Sequence, residues 1–174
     1  TSCVSSTPKV DNVVFRKVLN YNAAEALDGQ LKITNIDTPQ CPPSDFVTRY
    51  IDLPVGWSGI IDYDRLNLES GDSDYSFYSL NIPNYAYTDD YTIKIEVKNI
   101  RSGKFIVIEN KIHVNGIPKP IVAKDWIAPT QVKMGSSFSA LLNFTGGPST
   151  VSQLISLNFY DKDNILKFSE SVVP

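Results

Sequence analysis

The clearest hydrophobic rhythm in the chain runs from Tyr91 to Lys98. Tyr91, Ile93, Ile95 and Val97 alternate there with Thr92, Lys94, Glu96 and Lys98. A period of two marks a half-buried β-strand, and a slip of one residue would turn four apolar side chains to water. Arg101-Ser102-Gly103-Lys104 reads as a turn, and Phe105 to Val114 as the returning hairpin partner. Upstream, Lys9 to Leu19 holds the β-rich run Val13-Val14-Phe15 and reads as a first strand. Gln30 to Ile36 sets Leu31 and Ile33 against Lys32 and Thr34. Asp45 to Leu53 puts Val47, Arg49, Ile51 and Leu53 on one side and Phe46, Thr48 and Tyr50 on the other, with the inward side left open. The one helical candidate, Asn22 to Leu27 closed by Asp28-Gly29, is too short to persist alone. A turn is expected instead.

Asn115-Gly116-Ile117-Pro118-Lys119-Pro120 is punctuated by two prolines and a glycine, so residues 117–120 are expected to link two modules, 1–116 and 121–174. In the second, Ile121 to Ile127 and Ser136 to Phe144 read as strands, with Phe138, Ala140, Leu142 and Phe144 on one face. Gly146-Gly147-Pro148 is a turn, and Leu154 to Tyr160 with Ile165 to Val172 forms a hairpin around Asp161-Lys162-Asp163-Asn164. A seven-stranded sandwich takes about 100 residues, so this unit is expected to be partial. Truncation of a longer parent is the favoured reason; strands donated by another chain are the other.

Composition fits folded β-modules. Among 174 residues, 42% are apolar and 20% charged, and the net charge of −3 comes without a basic run. Nucleic-acid binding lacks its electrostatic footprint, and no apolar run approaches the length of a membrane-spanning helix, so no membrane insertion is expected. The start at Thr1-Ser2-Cys3 reads as a mature or excised segment without a signal peptide. The two cysteines, Cys3 and Cys41, suggest one disulfide and an oxidising compartment; two buried free thiols in a cytosolic protein are the alternative. Asn143-Phe144-Thr145 is a glycosylation sequon, usable if Asn143 points outward.

Catalytic chemistry finds little support. His113 is the only histidine and sits between Ile112 and Val114 in a strand, with no nucleophile elbow near it. One histidine and two separated cysteines do not make a zinc ligand set. Asp72-Ser73-Asp74, Asp89-Asp90 and Asp161-Lys162-Asp163-Asn164 cluster carboxylates, but acidic residues in β-turns ordinarily bond their own backbone, and no cofactor or metal is expected. Tyr63, Tyr75, Tyr78, Tyr85, Tyr87 and Tyr91 crowd the first module. Aromatic faces can stack on sugars or anchor a protein partner. Tyr91 reads as core and Trp57 as a core plug, with Trp126 similar; Tyr85 and Tyr87, flanking Ala86 in a loop, are the candidates for binding.

The motifs Thr34-Asn35-Ile36-Asp37, Cys41-Pro42-Pro43, Leu53-Pro54-Val55-Gly56-Trp57, Leu68-Glu69-Ser70-Gly71 and Tyr91-Thr92-Ile93 resemble, in that order, the NEW-type immunoglobulin-like domains. These lie beside catalytic domains in secreted glycosidases and metalloproteases. The resemblance covers about residues 3–116, and Cys3 and Cys41 sit where one subgroup carries its cysteines. Ser70 stands where proline is usual and Asp90 where glycine usually precedes the tyrosine; the second module is similar only weakly. What the resemblance implies is a noncatalytic extracellular β-sandwich with no catalytic residue to carry over. The sequence therefore leads to an all-β protein of immunoglobulin-like sandwiches in tandem. Its expected role is a structural or adhesive module of a secreted, cell-surface or filament-forming protein. The alternatives are an accessory spacer beside a secreted hydrolase, or a carbohydrate-binding domain. Partners would be proteins or further copies meeting at β edges, or glycans.

Overall fold

The computed structural model describes residues 2–120, 122–127, 139, 141–145, 155–161, 163 and 165–172. Those residues hold thirteen strands and no helix. The chain divides into two units, Thr1–Ile117 and Pro118–Pro174.

The first unit carries β1 (Lys9–Val14), β2 (Asn20–Asn22), β3 (Ala26–Thr34), β4 (Ser44–Ile51), β5 (Ser58–Asp62), β6 (Arg65–Leu68), β7 (Ser73–Asn81), β8 (Asp89–Asn99) and β9 (Phe105–Asn115). They form a four-stranded sheet in the order β1-β3-β7-β5 and a five-stranded sheet in the order β2-β9-β8-β4-β6. Every pairing is antiparallel except β2 with β9, which run parallel from Asn20↔His113 to Asn22↔Asn115. Leu27, Leu31, Ile33 and Leu80 from the first sheet meet Phe46, Ile93, Ile95, Val97, Ile112 and Val114 from the second, all fully or nearly fully buried. One core between two inner faces is a β-sandwich.

The alternation of Tyr91 to Lys98 is kept: Ile93, Ile95 and Val97 are fully buried and Tyr91 is half-buried. In β4, Phe46, Thr48 and Tyr50 turn inward, which settles the side that periodicity left open. The first strand stops at Val14, short of Leu19. The Ala23-Ala24 run is a turn, with Ala24 at φ 69°. The Ala23 and Ala24 N–H groups donate to the Asn115 and Ile82 carbonyls, so bonds to distant strands replace those of a helix.

Two inward-facing glycines seat tyrosine rings. A side chain on Gly29 would collide with the Tyr78 ring, and one on Gly59 with the Tyr50 ring. Tyr78 uses that room to reach across the sandwich. Its hydroxyl donates to Asn12 on β1 (2.9 Å) and accepts from Asn110 on β9 (3.3 Å), while Asn12 and Asn110 bond each other at 2.8 Å. Burial pushes the Tyr78 hydroxyl up to about 12 despite these bonds. Burial also raises Tyr50, whose hydroxyl finds no partner.

In the second unit, β10 (Val122–Ile127) pairs with β11 (Leu141–Thr145) and β12 (Ile155–Tyr160) with β13 (Leu166–Val172), both antiparallel. The Asp161 carboxylate accepts from the Asp163 and Ile165 N–H groups, each at 2.9 Å, and so fastens the second hairpin's turn. Residues 136–138 and 140, and the side chains of Trp126, Leu142 and Phe144, lie outside what is described.

Candidate functional site

Two features of the first unit stand out: a polar knot at one end of the sandwich and an apolar outer face on the four-stranded sheet.

The knot is built on Thr34-Asn35-Ile36-Asp37, where β3 ends. The alternation that buries Ile33 also buries Asn35 and Asp37, so their polar atoms need partners. The Asn35 side chain donates to the Leu68 carbonyl and accepts from the Asp37 N–H, each at 2.9 Å. The Asp37 carboxylate, 4% exposed, accepts from the Ser6 N–H at 2.6 Å and the Ser44 hydroxyl at 2.7 Å, with Asn99 and Ser5 further off. Burial alone would raise its pKa, but the bonds from Ser6, Ser44, Asn99 and Ser5 prevail and hold the carboxyl below its ordinary value. Arg101 closes the knot by donating to Ser44 and to the Pro42 and Pro43 carbonyls. Alongside, Cys3 and Cys41 form a disulfide with Cα atoms 4.6 Å apart. The Val4 N–H donates to the Thr38 hydroxyl, and the Thr38 N–H to the Val4 carbonyl, each at 3.0 Å. One end of the sandwich thus gathers residues 3–6, the end of β3, the start of β4 and the β8–β9 turn.

The outer face follows from a strand that is apolar on both sides. In β7, Tyr78 and Leu80 point inward while Tyr75 and Phe77 point out. Their rings stack with centroids 6.4 Å apart, and Tyr63 meets Phe77 edge-on at the same distance. Ile60 on β5, Val13 on β1 and Phe15 just beyond it are exposed on the same sheet. Register sets Val13, Gln30, Phe77 and Asp62 in one row across the four strands. Tyr63 is 68% exposed and has φ 56°, in the left-handed region that disfavours a bulky residue. Its carbonyl accepts from the buried Ser76 at 2.6 Å, which holds that backbone in place. The outer face of the five-stranded sheet carries ion pairs beside the exposed Phe105. Arg49 pairs with Glu96 at 2.8 Å, and His113 Nδ1 lies 2.7 Å from Asp90.

Tyr85 and Tyr87 are both exposed, in the turn after β7. The Tyr85 hydroxyl donates to the Gly56 carbonyl at 3.2 Å, and the Tyr87 carbonyl accepts from the Tyr91 hydroxyl at 3.1 Å. Gly56 has φ 82° within the Pro54–Trp57 turn, and the Trp57 ring is buried 4.7 Å from Tyr91. Trp57 and Tyr91 therefore act as packing residues, while Tyr85 and Tyr87 keep open ring surface. Asn143 lies on β11 and is exposed. His113 has Asp90 beside it and, among the described residues, no serine or cysteine nucleophile bonded to it. Among the described residues no three His, Cys, Asp or Glu gather as metal ligands would.

The aromatic face and the Asp37 knot are the parts that sequence reasoning missed. The signal for the face was Tyr75 and Phe77 two residues apart, opposite the equally apolar Tyr78 and Leu80. The signal for the knot was a pair of polar residues continuing the inward phase of Leu31 and Ile33.

No protein-family model and no curated protein matches the chain. Among solved structures it is similar to a FixG-related protein from Vibrio parahaemolyticus, with 15% identity and a TM-score of 0.50, over 63% of this chain and 97% of that one. It also aligns with the SrpA adhesin from Streptococcus sanguinis, at 13% identity and a TM-score of 0.43, over 98% of this chain and 92% of that one. A third match is the secreted serine protease VesC from Vibrio cholerae, at 13% identity and a TM-score of 0.37, over 86% of this chain and 34% of the protease. At these identities the first likeness speaks to the fold alone.

Proposed function

We propose that the chain is a noncatalytic structural or adhesive module of an extracellular protein, either secreted, displayed on a cell surface or assembled into filaments. The observation that supports this best is the contrast between the two outer faces. One sheet carries the Arg49–Glu96 and Asp90–His113 pairs, whereas the other shows water Val13, Phe15, Ile60, Tyr63, Tyr75 and Phe77. Exposed apolar side chains gathered around ordered aromatic rings, interrupted here by Gln30 and Asp62, are what a contact surface offers. The disulfide adds support for an oxidising compartment. In this reading the unit is an immunoglobulin-like sandwich, akin to the NEW-type domains, and the face meets a protein or glycan outside the cell. The accessory-domain reading draws on the Leu53-Pro54-Val55-Gly56-Trp57 corner, whose sequence resembles that family's motif. It requires a catalytic domain elsewhere in the parent protein.

The test compares beads coated with the full chain, wild type against Ile60→Ser/Tyr63→Ser/Phe77→Ser, on a glycan array and on a layer of the same chain. Adhesion by the wild type that the triple variant loses supports the proposal, and equal behaviour refutes it. Non-reducing peptide mapping of the protein from its native source should recover Cys3 joined to Cys41. Free thiols there would contradict an extracellular address.

A further inference from the structure

The connectivity of the first unit fixes how it carries tension. β4 and β9 both run away from the knotted end, and β8 runs back between them. The disulfide sits at the knotted end, and the chain leaves the unit past Asn115 at the opposite end. Tension entering through the residues before Cys3 has two routes: along the backbone into β1, or through the sulfur–sulfur bond to Cys41 and on into β4. While the bond is intact, residues 4–40 form a closed loop that cannot lengthen. β1, β2 and β3 then lie off the path.

We infer that the Cys3–Cys41 disulfide is a load-path switch, which moves tension from the edge strand β1, paired on one side, to the interior strand β4, paired on two, so that the module resists it better. With the bond closed, tension draws β4 toward the knotted end and β9 toward the other. The ladders from Phe46↔Asn99 to Ile51↔Lys94 and from Asp89↔Val114 to Lys98↔Phe105 are pulled along their length. Antiparallel hydrogen bonds lie across the strand axis, so all the bonds of a ladder are loaded together. Both loaded strands are paired on two sides, β4 by β8 and β6, and β9 by β8 and β2. With the bond open, the same tension reaches β1, which pairs with β3 alone. Beyond that ladder β1 is held by the Asn12 bonds to Asn110 and Tyr78 and by Val10 and Val14 packed on the core, and the residues before it by the Ser6 bond to Asp37 and the Val4 bonds to Thr38. The inference deepens the structural and adhesive reading, since an adhesive or filament module is one that is pulled.

The experiment is single-molecule pulling of the full chain between its termini, oxidised and after reduction. The oxidised unit should rupture at the higher force. Its released contour should be shorter by the cysteines' sequence separation of 38, which is roughly 130 Å at about 3.3–3.6 Å per residue. In a second geometry the C-terminal handle is moved to Gly103, in the turn between β8 and β9. Both attachment points then lie at the knotted end, the β4–β8 ladder opens pair by pair, and the oxidised rupture force should fall. The contour difference verifies the bond in each molecule. An oxidised force no higher than the reduced one, or one indifferent to the move to Gly103, overturns the inference. The adhesion test on Ile60, Tyr63 and Phe77 does not depend on the load path, so either reading can fail without the other.

Discussion

Replacing Asp37 by alanine removes the acceptor on which the knot converges. The half-buried Ser6 N–H at 2.6 Å and the buried Ser44 hydroxyl at 2.7 Å would each lose a charged partner. Hydrogen bonds to charged groups contribute about 1.5–3 kcal/mol each, so the loss of two should be about 3–6 kcal/mol. The Asn99 and Ser5 contacts, at 3.3–3.4 Å, are too long to add much. Asp37→Asn keeps the shape and one oxygen but sets an amide N–H₂ against a donor, so it should cost less than alanine. Urea unfolding with the disulfide kept oxidised measures both. A cost for Asp37→Ala below about 1 kcal/mol, typical of an unremarkable substitution, would refute the role given to the knot.

Acid supplies a second arm. The folded Asp37 carboxyl lies below its ordinary value of 3.8. Its contribution is therefore complete above that value and is lost as pH falls from there through the folded value. Wild-type stability should drop over that window more steeply than that of Asp37→Asn, which has no proton to take up. Parallel acid profiles for the two proteins would count equally against the argument.

Other expectations concern separate sites. Cys3→Ser/Cys41→Ser should lower unfolding free energy by about 4 kcal/mol, from the chain entropy of a 38-residue loop, and dithiothreitol should act alike on the wild type in a denaturant titration. Tyr63→Gly should hold or raise stability, by up to about 1–2 kcal/mol of relieved left-handed backbone strain, while weakening adhesion; a large loss on thermal melting would show that the ring is a packing element. Tyr78→Phe should cost about 1–3 kcal/mol by leaving Asn12 and Asn110 without their shared hydroxyl, as read by urea titration. Tyr85→Ala and Tyr87→Ala should abolish glycan-array signal if that turn binds sugar, and an unchanged array would exclude the turn.

The strands were legible because one face of each is buried and the other is wet, which imposes a period of two on the side chains. Ile93, Ile95 and Val97 are the plainest instance, and their pairing partner followed from the Arg101–Lys104 turn. Legibility failed where that rule is locally broken. β7 is apolar on both sides, so Tyr75 and Phe77 could not be told from core by pattern. Only the register, which sets Tyr78 rather than Phe77 over Gly29 inside the sandwich, separates them. At the end of β3 the rule fails the other way, since Asn35 and Asp37 occupy inward positions that pattern assigns to apolar residues. They are tolerated because Ser6, Ser44, Leu68 and Asn99 come together there from segments far apart in sequence, and no local window holds that information. The same convergence explains why one cysteine sits at residue 3 and the other at 41. The disulfide and the Val4–Thr38 and Ser6–Asp37 bonds lie on neighbouring residues, so they fasten one junction together and their contributions should not simply add.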